Sequence, residues 1–352
     1  MGELPATVLN GMYFIGRKLG RGGFGITYLG KDMNLNRPVA VKEYYPSEMA
    51  ARYTDARSVR PYSGARDDYE RGQRRAMDEA RRIARMAQIP NIVQVHGAFE
   101  ENGTVYIVMD YIEGQTLTNL VVEQGPLRWA RVRRLMDPIM RALESVHRQG
   151  FIHRDISPDN IMLSSHGNTE QTYLLDFGAA RSYSDNPGRM SEVVRQGYAP
   201  PEQYSSMGTQ DVRTDEYALC ATMYFLLTGK TPADSTQRLA MGSEMSTPRM
   251  LGSDIPAQAE AALMRGMSVH MQERYASLRE LWTAFDGKAT EPVKKPAKKR
   301  IGAWALAGVI AVAGIVWGVS RVIDWPDPTP EISEETSESA ETLAAEPTTT
   351  VA

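Results

Sequence analysis

The stretch HRDISPDN, residues 153–160, decides how the whole chain is interpreted. Two other stretches accompany it in a fixed order, LGRGGFG at residues 19–25 before it and LDFG at residues 175–178 after it. Asp155 offers a carboxylate that can accept a proton, and Asn160 offers an amide oxygen, a ligand type that suits Mg²⁺. Each stretch alone is a weak signal, but the ordered series predicts one site that holds phosphate groups, a metal ion and a base.

The glycine-rich stretch predicts a hairpin that covers phosphate groups. Gly20, Gly22 and Gly25 lie between two segments of strand character, residues 13–19 and 26–31. A dinucleotide-binding fold would place a helix after the third glycine, so strands on both sides favour the nucleotide cover of a phosphotransferase. Glycine suits this place because backbone amides must come close to phosphate oxygens.

A lysine and its anionic partner are predicted next along the chain. PVAVK at residues 38–42 alternates like a strand and ends at Lys42, at the distance expected for a lysine that binds the α and β phosphates. Residues 70–87 carry apolar side chains at helical spacing, and Glu79 lies beside that apolar stripe. Glu79 is therefore the predicted partner of Lys42, with Asp78 as the alternative.

These motifs resemble those of the eukaryotic-like protein kinase superfamily, particularly the membrane-tethered serine/threonine kinases of bacteria, over about residues 11–285. The resemblance implies an α+β fold of two lobes, a small β-rich N-lobe over about residues 11–109 and a mostly helical C-lobe over about residues 115–285. It also implies transfer of the γ-phosphoryl group of ATP to Ser/Thr hydroxyls of protein substrates, with ATP and Mg²⁺ as cofactors.

The resemblance assigns roles to residues at matching positions, and HRDISPDN is the catalytic loop of that family. The catalytic residues it implies are Lys42, Glu79, Asp155, Asn160 and Asp176. Asn160 and Asp176 are the expected metal ligands. TVYIVMDYIEG at residues 104–114 resembles the connection between the lobes. The residues expected to bind ATP are Leu19, Gly20, Gly22, Gly25, Thr27, Ala40, Lys42, Met109, Asp110 and Ile112.

Further positions of the resemblance have structural roles. Glu202 in PPEQY is expected to pair with Arg274, and Asp215 is expected to brace the catalytic loop. A long helix over residues 127–149, kinked at Pro138, is expected to deliver the chain to that loop.

Two positions depart from the family pattern together. Most serine/threonine members carry a lysine two residues after the catalytic aspartate, where this chain has Ser157, and a threonine where it has Arg195. One hypothesis is that Arg195 restores positive charge near the transferring phosphoryl group, since a guanidinium can bind phosphate oxygens bidentately. The alternative is a surface arginine in a loop. The change leaves the choice between Ser/Thr and Tyr acceptors open, and a membrane-anchored pseudokinase scaffold is the alternative function.

The activation segment and an insertion carry further expectations. Arg154 is the residue through which many family members sense a phosphorylated activation segment, so autophosphorylation is expected within residues 179–199. The span 43–78 is longer than the usual connection and rich in Arg and Tyr. It is interpreted as a solvated insertion that leads into the helix, with docking of an acidic partner or anionic lipid as the alternative.

A membrane anchor is predicted after the C-lobe. Residues 301–319 are 19 uncharged, mostly apolar residues, enough for one transmembrane helix. The basic linker 286–300 places the kinase domain in the cytoplasm by the positive-inside rule. The acidic Ser/Thr/Pro-rich tail 320–352 is expected to be disordered and extracytoplasmic. A buried core helix is the alternative for the apolar segment, and the spacing of Gly314 and Gly318 would allow a homodimer.

Composition argues against several other classes. The net charge of −3 disfavours nucleic-acid binding. The single cysteine, Cys220, forms no intrachain disulfide, and the five histidines lack the spacing of a structural zinc site. A small-molecule phosphotransferase of related fold is a second rival, disfavoured because such enzymes generally lack the activation segment and the PPEQ-like ending.

Overall fold

The structure is a computed structural model of the 352-residue chain, and it describes residues 3–23, 25–85, 89–167, 169–176, 181–182, 194–205, 208–242 and 245–287. The chain divides into two compact units, Met1–Pro292 and Val293–Ala352, and every described residue belongs to the first. The predicted membrane helix 301–319, the tail 320–352 and nearly all of the linker 286–300 lie outside the described residues. Within the described ranges, no helix is long and apolar enough to span a bilayer.

The N-terminal part of the unit is mostly strand and the C-terminal part is mostly helix. The strands are β1 Thr7–Leu9, β2 Tyr13–Gly22, β3 Gly25–Asp32, β4 Arg37–Tyr44, β5 Ala50–Arg52, β6 Val59–Pro61, β7 Val95–Glu101, β8 Thr104–Asp110, β9 Gln115–Thr116, β10 Phe151–Ile152, β11 Ile161–His166, β12 Thr169–Leu174 and β13 Arg181–Ser182. The α-helices are α1 Arg66–Arg85, α2 Leu117–Gln124, α3 Trp129–Arg148, α4 Val212–Thr228, α5 Ser235–Met241, α6 Ala257–Gly266 and α7 Leu278–Phe285.

An antiparallel sheet forms the N-lobe, with the strand order β1-β2-β3-β4-β8-β7. In β4, Val39 and Val41 are fully buried, as expected for alternate residues of a strand that faces a core. Lys42 lies opposite Thr27 of β3 and Ile107 of β8, which places it in the middle of the sheet. The strands predicted around the glycine-rich stretch and Lys42 are confirmed.

The insertion after Lys42 packs onto the sheet. Strands β5 and β6 form a hairpin within it. Arg52 of this hairpin donates from Nη1 to Oε1 of Glu43 at 2.9 Å, and the Glu43 side chain is completely buried. Four apolar side chains of the insertion are at most 4% exposed, namely Tyr45, Ala50, Val59 and Tyr69. Most of the insertion is exposed or half-buried, as predicted, and it leads into helix α1. The few buried side chains that anchor it to the sheet were not predicted, because contacts distant in sequence bury them.

Helices α3 and α4 form the centre of the C-lobe. The apolar side chains that predicted α3 are buried, namely Val132, Leu135, Met136, Ile139, Leu143 and Val146. The helix continues without interruption through Pro138. In α4 every residue from Thr214 to Thr228 is buried, so this helix is surrounded by the rest of the lobe.

A buried salt bridge joins the segment after the activation region to the end of the C-lobe. Arg274, which is 2% exposed, donates from Nη1 to Oε1 of Glu202 at 2.6 Å and from Nη2 to Oε2 at 3.1 Å. This parallel arrangement is the strong, geometrically specific form of an arginine–carboxylate pair. The predicted pairing of Glu202 with Arg274 is confirmed.

Candidate active site

Asp215, near the start of α4, holds the backbone of the catalytic loop. Its two carboxylate oxygens accept hydrogen bonds from the amides of His153 and Arg154, each at 2.8 Å. Nε2 of His147 in α3 contacts the same carboxylate at 2.7 Å. Burial acts to raise the pKa of Asp215, but the contacts with the histidines and the Arg154 amide outweigh it, and the net pKa is lowered. Asp215 therefore braces the loop as a charged group, as predicted.

Two residues of the site have a left-handed backbone. The φ angle is 71° at Arg154 and 49° at Asp176. This conformation is uncommon for residues other than glycine and costs about 1–3 kcal/mol where the surroundings impose it. At Arg154 the hydrogen bond to buried Asp215 maintains it. Such an outlier, held by buried contacts, is typical of a site whose geometry serves a function.

The carboxylate of Asp155 is fixed from two sides. Nδ2 of Asn160 donates to Oδ2 of Asp155 at 2.8 Å and to its carbonyl oxygen at 2.7 Å. Nε of Arg195 donates to Oδ1 at 2.6 Å. Each carboxylate oxygen can accept about two hydrogen bonds, so Asp155 can still accept one from an incoming hydroxyl.

Lys42 reaches across from the N-lobe sheet to Asp176. Its Nζ lies 2.6 Å from Oδ1 of Asp176, although the two residues are 134 positions apart in sequence. Burial acts to lower the pKa of Lys42, but the negative charges of Asp176 and Glu79 outweigh it, and the net pKa is raised. The charge of the predicted partner Glu79 thus acts on Lys42. The sequence did not predict that Asp176 would accept the hydrogen bond from Lys42.

One face of the N-lobe sheet carries five of the ten residues expected to bind ATP. Residues directly opposite each other in an antiparallel pair share a face, and so do residues two apart on one strand. Thr27 is opposite Lys42 and Gly20, and Ala40 is opposite Met109. Since Ala40 and Lys42 are two residues apart on β4, all five lie on the same face. Leu19 lies beside this group in β2.

The connection between the lobes follows β8. The amide of Asp110 donates to the carbonyl oxygen of Gln94 at 3.0 Å. Its side chain contacts Nε2 of His96 at 2.7 Å. Only the backbone carbonyl of Asp110 can therefore contact an adenine base, whereas Ile112, two residues further, is in the loop before β9.

Glycine occupies the hairpin positions for two different physical reasons. A Cβ atom at Gly25 would lie 2.3 Å from the carbonyl oxygen of Glu43, so packing within the protein requires glycine there. A Cβ atom at Gly20 or Gly22 would meet no described atom within 4 Å. The absence of side chains at these two positions leaves room for a ligand against the backbone.

The donor set fits Mg²⁺. Asn160 turns its Nδ2 toward Asp155, and its Oδ1, which has a long contact of 3.4 Å from Nη2 of Arg195, can still act as a ligand together with the carboxylate of Asp176. The described residues contain no cluster of three or more His, Cys, Asp or Glu side chains that could hold a metal ion by itself. Mg²⁺ is usually held by one or two protein oxygens together with substrate phosphates and water, so two ligands suffice.

Sequence reasoning missed two partners in the site. Asp159 receives hydrogen bonds from Oγ1 of Thr118 at 2.7 Å and from Nη1 of Arg195 at 3.1 Å. The position of Asp159 next to Asn160 in the catalytic loop could have indicated that it belongs to the site. Gln210 accepts a hydrogen bond from Nε of Arg154 at 2.5 Å, and no motif marks this glutamine.

Comparisons with known proteins identify the family and the fold. Residues 13–273 match the protein kinase domain family. The chain is 31% identical over 299 residues to the probable serine/threonine-protein kinase PknB of Bifidobacterium longum, covering 80% of this chain and 40% of that protein. It is 29% identical over 334 residues to the serine/threonine-protein kinase PknE of Mycobacterium bovis, covering 91% of this chain and 53% of that protein. A solved structure, PpkA-294 in its apo form, superposes with a TM-score of 0.70 at 30% identity, over 81% of this chain and 100% of that one.

The chain belongs to the protein kinase domain family. The two curated relatives carry the names of a probable serine/threonine-protein kinase and a serine/threonine-protein kinase of bacteria, and these matches confirm the predicted family and its two-lobed fold. The chain spans about half or less of the length of these two curated relatives.

Proposed function

We propose that this chain is a protein kinase that transfers the γ-phosphoryl group of ATP to serine or threonine hydroxyls of proteins. The observation that carries the proposal is that Lys42 of the N-lobe sheet meets Asp176, 134 residues later in the chain, while Asn160 holds the carboxylate of Asp155 within the loop 153–160. A pseudokinase scaffold would not require this complete set, so the set favours catalysis over the alternative.

In the proposed reaction, Asp155 accepts the proton of the acceptor hydroxyl while that oxygen attacks the γ-phosphorus. A new bond forms between this oxygen and phosphorus, and the bond from phosphorus to the bridging oxygen breaks. The electron pair of the broken bond leaves with ADP. The hydrogen bonds from Asn160 and Arg195 fix the direction of the Asp155 carboxylate. Positioning of this kind supplies much of the catalysis in phosphoryl transfer.

Asn160 and Asp176 would hold Mg²⁺ in this proposal, and the metal ion would neutralise negative charge on the phosphate oxygens. Lys42 would bind the α and β phosphates, which requires it to share the hydrogen bond that it makes to Asp176. Its raised pKa keeps it charged for that role.

Transfer to a defined class of hydroxyl tests the proposal. We expect the full-length protein, incubated with radiolabelled ATP and Mg²⁺, to label serine and threonine residues of a mixed peptide library. Phosphoamino-acid analysis distinguishes these from tyrosine, and Lys42→Met serves as the inactive comparison. The proposal would be contradicted by radiolabel on tyrosine alone, or by a Lys42→Met variant that incorporates as much radiolabel as the wild type.

The glycine-rich hairpin offers matched substitutions. We expect Gly20→Ala to weaken ATP binding but not stability, because a Cβ at that position meets no described atom within 4 Å. Gly25→Ala should destabilise the fold by about 1–3 kcal/mol, because its Cβ would overlap the Glu43 carbonyl oxygen. Calorimetric titration with Mg-ATP and thermal unfolding separate the two effects. Equal losses of stability would show that this explanation of the glycines is wrong.

Autophosphorylation within residues 179–199 is part of the proposal. Most of that span lies outside the described residues. Support comes from Arg154, whose Nε at present bonds the neutral side chain of Gln210 and could bond a phosphate instead. Mass spectrometry after incubation with ATP tests it, and a span without phosphate would oppose it.

We also propose that residues 301–319 tether the kinase domain to the cell membrane, with the tail 320–352 on the extracytoplasmic side. The support is a run of 19 uncharged residues behind a basic linker. The spacing of Gly314 and Gly318 would permit pairing of two such helices. After extraction of membranes with alkaline carbonate and centrifugation, we expect the protein in the membrane pellet. Release of the protein into the supernatant would refute the proposed membrane tether.

A further inference from the structure

The backbone of Arg195 is anchored by residues that follow it in the chain. The amides of Tyr198 and Ala199 both donate to the Arg195 carbonyl oxygen at 3.0 Å. Oγ of Ser235 donates to the Ala199 carbonyl oxygen at 2.7 Å, which ties this turn to α5. Gly197 has a φ of 85°, and a Cβ there would lie 2.6 Å from the Thr231 side chain. The starting point of the Arg195 side chain is therefore fixed by the C-lobe.

The guanidinium of Arg195 faces the catalytic loop with all three of its nitrogens. Nε lies 2.6 Å from Oδ1 of Asp155, Nη1 lies 3.1 Å from Oδ2 of Asp159, and Nη2 lies 3.4 Å from Oδ1 of Asn160. These contacts use three of its five N–H donors, so two remain. The side chain is 35% exposed, which leaves part of the guanidinium accessible to a ligand. The alternative interpretation of Arg195 as a surface arginine in a loop does not fit these contacts.

Three carboxylates act electrostatically on the guanidinium of Arg195. Burial acts to lower the pKa of Arg195, but the negative charges of Asp155, Asp159 and Asp176 outweigh it, and the net pKa is raised. The guanidinium contacts Oδ1 of Asp155, which would face the attacking hydroxyl, and Oδ1 of Asn160, which would hold the metal ion, so its charge is available to a phosphoryl group bound between them.

Position 157 does not deliver a cation to this place. Ser157 is completely buried, and its hydroxyl has no hydrogen-bond partner among the described residues. Most serine/threonine kinases carry a lysine at that position. A cation is nevertheless present beside Asp155, and it comes from Arg195, 40 positions after Asp155 in the chain.

We propose that Arg195 is a catalytic residue that takes the place of the missing loop lysine, holding Asp155 through Nε and donating from Nη2 to a non-bridging oxygen of the transferring phosphoryl group. Nη2 has the longest of the three contacts, 3.4 Å, and is the nitrogen that turns to the phosphate most easily. This inference rests on the proposed kinase activity. The bonds made and broken are those of that reaction, and Arg195 neither gains nor loses a proton.

Rescue from position 157 tests the proposal. We expect Arg195→Ala, in the full-length protein, to lower kcat about 10²- to 10³-fold while Kd for Mg-ATP changes less than about threefold. Arg195→Lys should retain a larger kcat than Arg195→Ala, because it keeps the charge. Ser157→Lys added to Arg195→Ala should raise kcat at least tenfold, by returning the cation from the loop.

Arg131→Ala is the matched control. Arg131 is 27% exposed and pairs with Glu170 at 2.7 Å, so it resembles Arg195 in burial and bonding but lies away from the loop. Thermal unfolding identifies variants that fail to fold. If Arg195→Ala does not fold, the proposal is tested by the kcat of Arg195→Lys relative to that of the Arg131→Ala control.

Three outcomes would overturn the inference: an Arg195→Ala kcat within threefold of the wild type, a kcat above it, or equal losses in Arg195→Ala and Arg195→Lys. An increase would mean that the arginine restrains Asp155 instead of assisting it. If the wild-type protein itself transfers no phosphate, the proposed function fails instead, so the two failures are distinguishable.

Discussion

Asp155→Asn should lower kcat by about 10³-fold, because the amide cannot accept the proton of the attacking hydroxyl. The substitution also costs a hydrogen bond. Asp155 accepts from both Arg195 and Asn160 in the wild type, and the asparagine would have to turn its own N–H₂ toward one of those donors. Steady-state turnover with saturating Mg-ATP measures the effect, and calorimetry should show nearly unchanged nucleotide binding.

The matched control for this substitution is Asp137→Asn. Asp137 in α3 also accepts a hydrogen bond from an arginine Nε, that of Arg141 at 2.8 Å, but this pair lies on the exposed side of the helix. The kcat of Asp137→Asn should equal that of the wild type. An exposed ion pair contributes little to the free energy of unfolding, so the loss of this pair should leave the fold and the site unchanged. An Asp155→Asn variant that keeps more than a tenth of wild-type kcat would remove Asp155 as the base.

Glu202→Ala should lower the free energy of unfolding by about 3–5 kcal/mol, because it leaves the guanidinium of Arg274 buried without its carboxylate partner. Arg274 is fully buried at its side chain, and Glu202 is 11% exposed there. Arg274 would retain contacts with the carbonyl oxygens of Ser268 and Arg213, which cannot neutralise its charge. Urea titration followed by intrinsic fluorescence measures the loss.

The double variant Glu202→Met with Arg274→Met separates loss of packing from an unpaired charge. Replacing both members of a buried ion pair with apolar residues of similar volume removes the uncompensated charge, so we expect the double variant to be more stable than Glu202→Ala. If instead it is less stable, the pair itself supplies net stability beyond charge compensation. A loss below about 1 kcal/mol in Glu202→Ala would contradict the account.

Sequence patterns predicted the elements around the site well where the signal is local. Strands β2, β3 and β4 and helix α3 follow from alternation or helical spacing of apolar residues, and the observed bounds agree closely with the predicted ones. Helix α1 begins at Arg66, four residues before the predicted start, because its first three residues are charged and Tyr69 is the only apolar residue of the first turn. The roles of Asp155, Asn160 and Asp176 stay predictions that the proposed experiments test.

Partnerships across the fold could not be predicted from local patterns. The insertion was expected in solvent, yet its hairpin buries Arg52 against Glu43, because a strand pairing decides which side chains meet. Gln210 meets Arg154 across 56 residues, and neither residue type nor spacing signals that contact.

The amino-acid sequence by itself determined the family and the order of the lobes, and it predicts which residues act as base, metal ligand and phosphate holder. Those properties depend on residue types in short, ordered motifs. The tertiary structure decided which carboxylate bonds Lys42, and that the cation beside Asp155 comes from Arg195 in place of position 157. The physical reason is that hydrogen bonds depend on distances of about 3 Å between atoms, and only folding sets such distances for residues far apart in the chain.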